Sequence, residues 1–402
     1  MKIGIIREGK MPPDKRVPFT PEQCKTIKEQ YPSIELVIQP SPIRCFPDQA
    51  YSNAGISLQE DLSDCDVLFG VKEVPLDDLI PEKHYFFFSH THKFQPYNRP
   101  LIQAIIQKEI QLTDYECLTY PNGNRVLGFG RFAGLVGAYN GLLTYGKREG
   151  LYTLKPANLC DDLRELNKEL HKVKLPPIKI VLTGSGRVAK GANEILEALS
   201  IKRVNADRFL SETFEEPVYT WIDADEYVEH KEGKPFDFKH FYAHGEEYQS
   251  NFKRFTKVTD LFIAGHFWDN RSPVFFTEED VKSAEFKIKT IADISCDIAC
   301  AIPSTVRPST IANPVYDYNP QTGEEATAYS SKDHITVMAV DNLPCELPKD
   351  ASEDFGQHLL DHILPLLLVE DPDQILHKAT ITKKGQLNEP FQYMQDFVEG
   401  KA

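Results

Sequence analysis

Short apolar runs alternate along the chain with longer segments in which apolar residues recur every three or four positions. Such runs are typical of buried strands, and such segments of amphipathic helices. In the N-terminal part, the predicted strands are Lys2–Ile6, Ile34–Ile38, Val67–Val71, Tyr85–Ser89 and Ile110–Thr113, and the predicted helices are Pro21–Gln30 and Pro100–Glu109. Thr20 and Pro21 suit the N-cap and the first position of the first helix. The alternation predicts a parallel α/β layer.

The same alternation resumes in the second half of the chain. Here the predicted strands are Ile178–Leu182, Val218–Ile222, Leu261–Gly265, Ile288–Ile294 and Ile335–Val340, and the predicted helices are Leu159–Lys174, Ala192–Leu199 and Phe355–Leu368. Gly128–Gly150 carries small residues at helical spacing, and we expect helices there that cross between two domains. A chain of 402 residues is too long for one ordinary core, so two domains are expected.

A glycine turn follows the strand predicted at Ile178–Leu182. Gly184, Gly186 and Ala189 fit the pattern G-x-G-x-x-A between a strand and a helix, which is typical of dinucleotide binding. Gly184 permits the tight turn, and Gly186 lets the backbone approach a pyrophosphate at the helix N-terminus. The alternative is a glycine-rich corner between strand and helix that binds no ligand.

Composition and charge restrict the possible partners. The net charge of −15 argues against nucleic acid and anionic membranes as main partners, because phosphate groups need a basic face. No apolar stretch approaches the roughly 18 residues of a membrane helix, and the first residues resemble a strand rather than a signal peptide. We therefore expect a cytoplasmic protein.

The eight cysteines form no C-x-x-C pair. The closest two, Cys296 and Cys300, lie in an apolar segment without nearby histidines. We interpret the cysteines as buried free thiols in a reducing compartment and predict no metal site.

Three cations, Arg7, Lys15 and Arg16, follow the first predicted strand. Arginine in such a loop can grip a carboxylate with two N–H groups. Composition alone favours the alternative, a solvated basic loop.

Polar residues also follow the next buried strands. Lys72 ends one of them, where open α/β sheets bind ligands, and its ammonium suits acid–base work when its pKa is lowered. The alternative is an ion pair with Glu73. His90 and His92 follow the next strand; strand alternation places both on one side, as a proton shuttle or, less favoured, a metal site.

Several motifs occur in a fixed order. They are Arg7-Glu8, Lys15-Arg-Val-Pro-Phe-Thr-Pro21, Gly70-Val-Lys-Glu73, Ser89-His-Thr-His-Lys93, Asp114-Tyr-Glu116, Arg125-Val-Leu-Gly-Phe-Gly130 with Ala133-Gly134, Asp293-Ile-Ser-Cys-Asp297 and Asp341-Asn-Leu-Pro344. Together they resemble the lysine-forming saccharopine dehydrogenases and the lysine–ketoglutarate reductases, within the wider alanine dehydrogenase and transhydrogenase family. The similarity extends to about residue 368 and is weakest across 200–260.

The resemblance implies roles for matching residues. Lys72 and His90 match the acid–base pair. Arg16, Lys93 and Arg125 match positions that bind substrate carboxylates or set the charge of the site, and Glu116 matches a carboxylate that modulates the catalytic groups. The positions implied to lie at the cofactor are Gly186, Arg187, Asp341 and Leu343, in addition to Gly184 of the glycine turn described above.

The resemblance also implies the domain plan. We expect an α/β fold of two Rossmann-like domains with parallel sheets and an active-site cleft between them. Residues 1–130 plus 335–402 are expected to form the catalytic, substrate-binding domain. Residues 131–334 are expected to form the dinucleotide-binding Rossmann domain, with an insertion around 205–255.

The chain departs from the family pattern near the cofactor. Val188 replaces a cysteine of the fungal enzymes. The acidic partner of the glycine turn normally lies about 20 residues on, where Asp207 stands, but Asp223 ends a better strand and is preferred. Basic residues that suit a 2′-phosphate lie nearby, namely Lys202, Arg203 and Arg208. We expect NAD as cofactor, with NADP not excluded.

The expected activity follows from the resemblance. It is NAD(P)-dependent oxidation of saccharopine to lysine and 2-oxoglutarate, or the reverse, on small-molecule amino acid and keto acid substrates. The alternatives are an alanine dehydrogenase, another opine- or imine-reducing enzyme, and a catalytically inactive dinucleotide-binding sensor. The sequence does not determine the oligomeric state.

Overall fold

A computed structural model of the protein describes residues 1–298 and 300–401, which form two compact units. The first unit comprises residues 1–129 with 348–401, and the second comprises residues 130–347. The first boundary lies beside the expected residue 130. The second lies at 347/348 rather than at 334/335, because Ile335–Met338 pairs with Thr290–Asp293 inside the second unit's sheet.

The strands are numbered along the chain. They are β1 (Lys2–Ile5), β2 (Glu35–Ile38), β3 (Ser57–Leu58), β4 (Val67–Phe69), β5 (His84–Phe87), β6 (Gln111–Asp114), β7 (Lys179–Thr183), β8 (Lys202–Arg203), β9 (Val218–Ile222), β10 (Val228–His230), β11 (Tyr248–Ser250), β12 (Leu261–Ala264), β13 (Thr290–Asp293), β14 (Val315–Asn319), β15 (Glu324–Ala326), β16 (Ile335–Met338), β17 (Thr380–Lys383) and β18 (Gln386–Leu387).

The α-helices are numbered in the same way. They are α1 (Pro21–Gln30), α2 (Asp48–Asn53), α3 (Arg99–Gln107), α4 (Gly130–Glu149), α5 (Leu163–Leu170), α6 (Arg187–Ala198), α7 (Ala206–Ser211), α8 (Ala224–Tyr227), α9 (Phe238–Ala243), α10 (Lys253–Thr256), α11 (Glu278–Lys282), α12 (Pro348–His358), α13 (Leu364–Leu368), α14 (Ile375–Ala379) and α15 (Gln395–Val398).

The first unit is built on an eight-stranded sheet in the order β18-β17-β6-β5-β4-β1-β2-β3. Strands β1 to β6 pair in parallel, and β17 and β18 add an antiparallel edge that the apolar pattern did not predict. Helix α1 begins as predicted. Thr20 is its N-cap and accepts from the Gln23 amide, Gln23 bonds back to Thr20, and Pro21 occupies the first turn.

The second unit holds another eight-stranded sheet, in the order β15-β14-β16-β13-β12-β7-β9-β8. Its central strands pair in parallel, and β14 and β15 are antiparallel. The predicted class, α/β with two largely parallel sheets, is confirmed.

Two predicted segments have different limits. The insertion expected around 205–255 contains β9, which is hydrogen-bonded inside the sheet, so the added part is the β10–β11 hairpin with α9.

The helix predicted at Phe355–Leu368 begins at Pro348 and changes to a π-helical turn at Leu359–Ile363 before α13. Pro365 explains the break, because it has no N–H to continue an α-helical ladder.

Helix α4 is a single helix of the second unit, where crossing helices had been expected, and it touches the backbone of α6. A Cβ added at Gly134 would lie 1.8 Å from the Val188 carbonyl oxygen, and one at Gly191 would lie 1.9 Å from the Arg131 carbonyl oxygen. The small residues at helical spacing in the sequence are therefore required by this close approach.

Among the described residues, no helix combines the length and the apolar character that a bilayer crossing requires. The eight cysteines are free thiols, of which Cys24, Cys65 and Cys160 are buried.

Replacing Gly134 by alanine forces α4 and α6 apart, and we expect the free energy of unfolding to fall by about 1–3 kcal/mol, the usual cost of overpacking. Urea denaturation and thermal melting measure this. Gly186→Ala is the matched control for stability, because a Cβ there meets nothing within 4 Å. Equal stability of the two variants would contradict the close contact of the helices.

Candidate functional site

The first sheet reverses its direction of winding between β1 and β4. β2 and β3 lie on one side of β1, and the chain then returns to place β4, β5 and β6 on the other side. In open α/β sheets, ligands bind at the carboxyl ends of the strands near such a reversal. The segments that leave β1, β4, β5 and β6 carry the residues predicted for the first unit's site, which are Arg16, Lys72, His90, Lys93, Glu116 and Arg125.

Lys72 follows β4 at this edge and is half-buried. Burial, reinforced by the positive charge of Arg16, lowers the pKa of its ammonium. No described residue accepts a hydrogen bond from its Nζ, so the alternative, an ion pair with Glu73, does not form. A lysine with a lowered pKa is neutral in a larger fraction of molecules near pH 7 and can accept a proton.

Glu73 instead pairs with His90 and Lys10. Its two carboxylate oxygens lie 2.7 Å from His90 Nδ1 and 2.6 Å from Lys10 Nζ. Burial alone raises the pKa of this carboxyl, but the hydrogen bonds from His90 and Lys10 lower it to about 2. Glu73 therefore stays ionised and fixes the orientation of the His90 imidazole, which suits a histidine that transfers protons.

Glu116 holds two cations at the same edge. Its oxygens lie 2.9 Å from Lys93 Nζ and 2.8 Å from Arg125 Nη2, and the Lys93 and Arg125 side chains are 41% and 57% exposed. His92 is the third neighbour, with Nε2 at 3.6 Å. His90 and His92 thus pair with different carboxylates, because β5 ends at Phe87 and a 3-10 turn, Thr91–Lys93, replaces strand alternation.

Arg16 is 2% exposed, so its side chain is buried and does not belong to a solvated surface loop. Asp14 accepts from its Nε at 3.0 Å and from its Nη2 at 2.6 Å, and the guanidinium lies 4.1 Å from the Phe129 ring centroid. The other two cations of the predicted loop face away, since Lys15 is exposed and Arg7 pairs with Glu60. The structure therefore separates the three cations: Arg16 is buried at this edge, and the side chains of Arg7 and Lys15 are not.

Some described side chains approach one another as metal ligands do. The groups are His92, Asp114 and Cys117; His230, His240 and Glu247; and His244, Glu246 and Glu247. Asp114 already accepts from Ser89 and from the Glu116 amide. His230 accepts the Glu232 amide at Nδ1, so its other nitrogen carries the proton. In the first two groups, Asp114 and the Nδ1 atom of His230 are therefore already engaged in hydrogen bonds.

The second unit places the glycine turn at a reversal of its own. The chain leaves β7 for β9 on one side and later returns to β12 on the other. Gly184 has a φ of +97°, and a Cβ there would lie 2.6 Å from the Gly265 carbonyl oxygen. A Cβ on Gly186 would meet nothing within 4 Å, and Gly186, as the N-cap of helix α6, has no side chain to cap the helix. An open backbone at a helix N-terminus fits a pyrophosphate.

Asp223 follows β9, which is the strand beside β7. The Gly184 amide donates to the Ile222 carbonyl at 2.9 Å, so the glycine turn and Asp223 lie on neighbouring strand ends. Asp207 lies instead on the exposed surface of α7. The fingerprint places its acidic residue at the end of the neighbouring strand, which is the position of Asp223.

The remaining predicted positions of the second unit differ in exposure. Arg187 begins α6 and is half-buried, and Asp341 is exposed after β16. Leu343 is 2% exposed, with its Cδ1 3.2 Å from a Cβ placed on Gly137 of α4. The Leu343 side chain therefore has the surroundings of a core residue.

Sequence reasoning gave no role to Lys10, Asp14 or Glu8. Asp14 stands two residues before Arg16, a spacing that favours a local ion pair once the loop is known to be buried. Glu8 was part of a motif, but its partners lie in the segment that follows β4.

Comparison with known proteins finds similar sequences and a similar fold. Residues 4–136 match the family model described as alanine dehydrogenase/PNT, N-terminal domain. Alpha-aminoadipic semialdehyde synthase of Arabidopsis thaliana is 30% identical over 98% of this chain and 41% of its own length. Saccharopine dehydrogenase [NAD(+), L-lysine-forming] of Emericella nidulans is 26% identical over 91% of this chain and 92% of its own. The chain spans less than half the length of the synthases that it matches.

Among solved structures, an L-alanine dehydrogenase matches all of this chain with a TM-score of 0.68 at 17% identity, which indicates a shared fold. The comparisons confirm the resemblance: residues 4–136 match the N-terminal domain of the alanine dehydrogenase/PNT family, and nearly the whole chain is similar to the saccharopine dehydrogenases and the alpha-aminoadipic semialdehyde synthases.

Proposed function

We propose that the chain is an NAD-dependent oxidoreductase acting on the CH–NH bond of an amino acid. In the proposed reaction, saccharopine, NAD⁺ and water give lysine, 2-oxoglutarate, NADH and a proton, or the reverse. One observation carries the proposal. A lysine with a lowered pKa, a histidine–carboxylate pair and two half-exposed cations share one edge of the first sheet. The names of the relatives agree with this chemistry.

The cations fit a substrate with several carboxylates. Lys93 and Arg125 are exposed enough to exchange Glu116 for a substrate carboxylate, and arginine can bind a carboxylate with two parallel hydrogen bonds. Arg16 has a different role in this proposal. Its guanidinium is already held by Asp14, and its charge helps to lower the pKa of Lys72.

The proton transfers are assigned to Lys72 and His90. When bound, the nicotinamide dinucleotide accepts or delivers the hydride. In the oxidative direction, Lys72 Nζ takes the proton of the substrate's secondary ammonium group, which frees the nitrogen lone pair to form the C=N bond as the hydride leaves the carbon. His90 Nε2 takes a proton from the water that adds to the imine carbon and returns it to the departing amine. It then accepts the hydroxyl proton as the carbinolamine collapses to the keto acid. Glu73 holds Nδ1 throughout.

The second unit is proposed to hold the dinucleotide. Gly184 and Gly186 offer the backbone to the pyrophosphate, and Arg187 adds positive charge at the start of α6. Asp223 is proposed to accept hydrogen bonds from ribose hydroxyls, which favours NAD over NADP because a 2′-phosphate would meet its negative charge.

The substrate is tested by following NADH oxidation with two substrate pairs. We expect turnover with lysine and 2-oxoglutarate and not with pyruvate and ammonia, because two exposed cations suit a dicarboxylate. Turnover only with the second pair would make the chain an alanine dehydrogenase. Tight NADH binding without turnover of any amino acid and keto acid pair would favour an inactive sensor.

Lys72→Met and His90→Gln are each expected to lower kcat by about 10²–10⁴-fold, the usual value of a proton transfer. Circular dichroism checks that both variants fold. Lys25→Met and His377→Gln change exposed residues of the same unit and should retain full activity. Full activity in the Lys72 and His90 variants would refute the assignment.

Asp223→Ser is expected to reduce the preference for NADH over NADPH by about tenfold or more, since a hydrogen bond to a charged group contributes about 1.5–3 kcal/mol. Fluorescence titration with each cofactor measures the two dissociation constants. Asp207→Ser removes the competing acid on α7 and should leave the preference unchanged. If Asp207→Ser lost the preference for NADH and Asp223→Ser kept it, the ribose hydroxyls would be assigned to Asp207 instead.

A further inference from the structure

Two carboxylates at the edge of the first sheet bind backbone amides rather than cations. Glu8 leaves β1 and accepts from the Val71 amide at 2.7 Å and the Lys72 amide at 2.8 Å. Strand β4, which precedes these amides, is the neighbour of β1 in the sheet. Glu8 therefore holds, from the adjacent strand end, the backbone of the residue to which the proposed function assigns one proton transfer.

Asp114, which ends β6, makes the same kind of contact with the segment that follows β5. It is fully buried, and its Oδ2 accepts from the Ser89 amide at 2.8 Å and the Ser89 hydroxyl at 2.5 Å. Its Oδ1 accepts from the Glu116 amide at 2.7 Å. One carboxylate thus connects the segment that carries His90 to the turn that carries Glu116.

The backbone at His90 needs this support. His90 has a φ of +55°, in the left-handed region that non-glycine residues rarely adopt. Such a conformation costs energy and persists only when its surroundings fix it. Asp114 fixes the preceding residue through Ser89, and Asn98 Nδ2 donates to the His90 carbonyl at 3.4 Å.

The contacts have a common physical reason. Backbone amides beyond the end of a strand lose their partners in the sheet ladder, and a buried amide without a partner is costly. A carboxyl group from the neighbouring strand end offers two acceptor oxygens, so it replaces two partners at once. Because the bonded atoms belong to the backbone, they set the position of the Cα atoms from which Lys72 and His90 extend.

We propose that Glu8 and Asp114 are positioning residues that fix the backbone of Lys72 and His90 for proton transfer. This proposal rests on the proposed function, since it assigns Glu8 and Asp114 a part in that reaction. Neither carboxylate needs to contact substrate. Their contribution is geometric, and misplacement of a reacting group by about 1 Å can lower a rate on the order of 100-fold.

The test uses Glu8→Gln and Asp114→Asn in the full chain. Each amide keeps one accepting oxygen and turns an NH₂ group toward a backbone N–H, so it breaks one hydrogen bond at nearly constant volume. Hydrogen exchange should accelerate at residues 70–73 in Glu8→Gln. In Asp114→Asn it should accelerate at either residues 88–91 or residues 115–117, whichever segment faces the new NH₂ group. With lysine and 2-oxoglutarate, kcat should fall about 10- to 100-fold while the KM for NADH stays unchanged.

The matched control is Asp66→Asn. Asp66 accepts the Lys2 amide at 2.7 Å, which is the same kind of contact at the opposite edge of the same sheet. Its removal should accelerate exchange near Lys2 and leave kcat unchanged. If Asp114→Asn fails to fold, Ser89→Ala replaces it, because this change removes the hydroxyl bond to Asp114 and retains the bond to the amide.

The outcomes separate the two proposals. Unchanged kcat in a variant with accelerated exchange overturns the positioning role, as does a loss of activity that only follows the loss of folded protein. Unchanged exchange shows that the carboxylates do not hold these segments and also overturns it. A wild-type chain that turns over neither substrate pair overturns the proposed function and the positioning role together.

Discussion

The burial of charge at the carboxyl edge of the first sheet is the constraint on which the candidate site depends. Charged groups lose much hydration free energy when they leave water, so they need partners of opposite charge or hydrogen bonds. Arg16 meets Asp14, Glu73 meets His90 and Lys10, and Glu116 meets Lys93 and Arg125. Lys72 differs from these side chains because no described residue accepts a hydrogen bond from its Nζ. Burial and the positive charge of Arg16 lower the pKa of its ammonium.

The same constraint explains why the site contains so many carboxylates. Burial raises the pKa of Glu8 to about 8, with the charge of Asp14 adding to the effect, while Asp14 itself, though also buried, is kept ionised by Arg16. Neighbouring carboxyls with such different pKa values are characteristic of sites that hold and move protons. In this site, the two pKa values differ because Asp14 accepts hydrogen bonds from the Arg16 guanidinium, whereas the hydrogen bonds to Glu8 come from backbone amides.

The second unit depends on close backbone contact rather than on charge. Gly134 and Gly191 let α4 and α6 touch, and Gly184 lets β7 turn beside Gly265. Both features are visible in the sequence, because glycine is the residue that tolerates such contact and, at Gly184, the positive φ. The choice of Asp223 over Asp207 also followed from the sequence, since Asp223 ends an apolar run with strand character and Asp207 does not.

Other predictions failed because a local sequence pattern does not show which distant strand or residue an element contacts. Ile335–Met338 is clearly a strand, but its sequence does not say to which sheet it pairs, so the domain boundary was placed too early. The limits given for the insertion, 205–255, were too wide, because they enclose Val218–Ile222, which the sequence itself predicts as a strand and which pairs with β7 in the sheet. His90 and His92 were placed on one side by strand alternation, which ends at Phe87 because a 3-10 turn follows.

The sequence by itself determined the elements, the parallel α/β class, the glycine turn and the identity of most candidate site residues. These depend on local properties: apolar periodicity, capping, glycine conformation and motif spacing. Only the tertiary structure decided that Glu73 binds His90 rather than Lys72, that Arg16 is buried against Asp14, and that Glu8 and Asp114 hold backbone amides of neighbouring segments. Hydrogen bonds and desolvation depend on distances between residues far apart in the chain, and no local pattern encodes those distances.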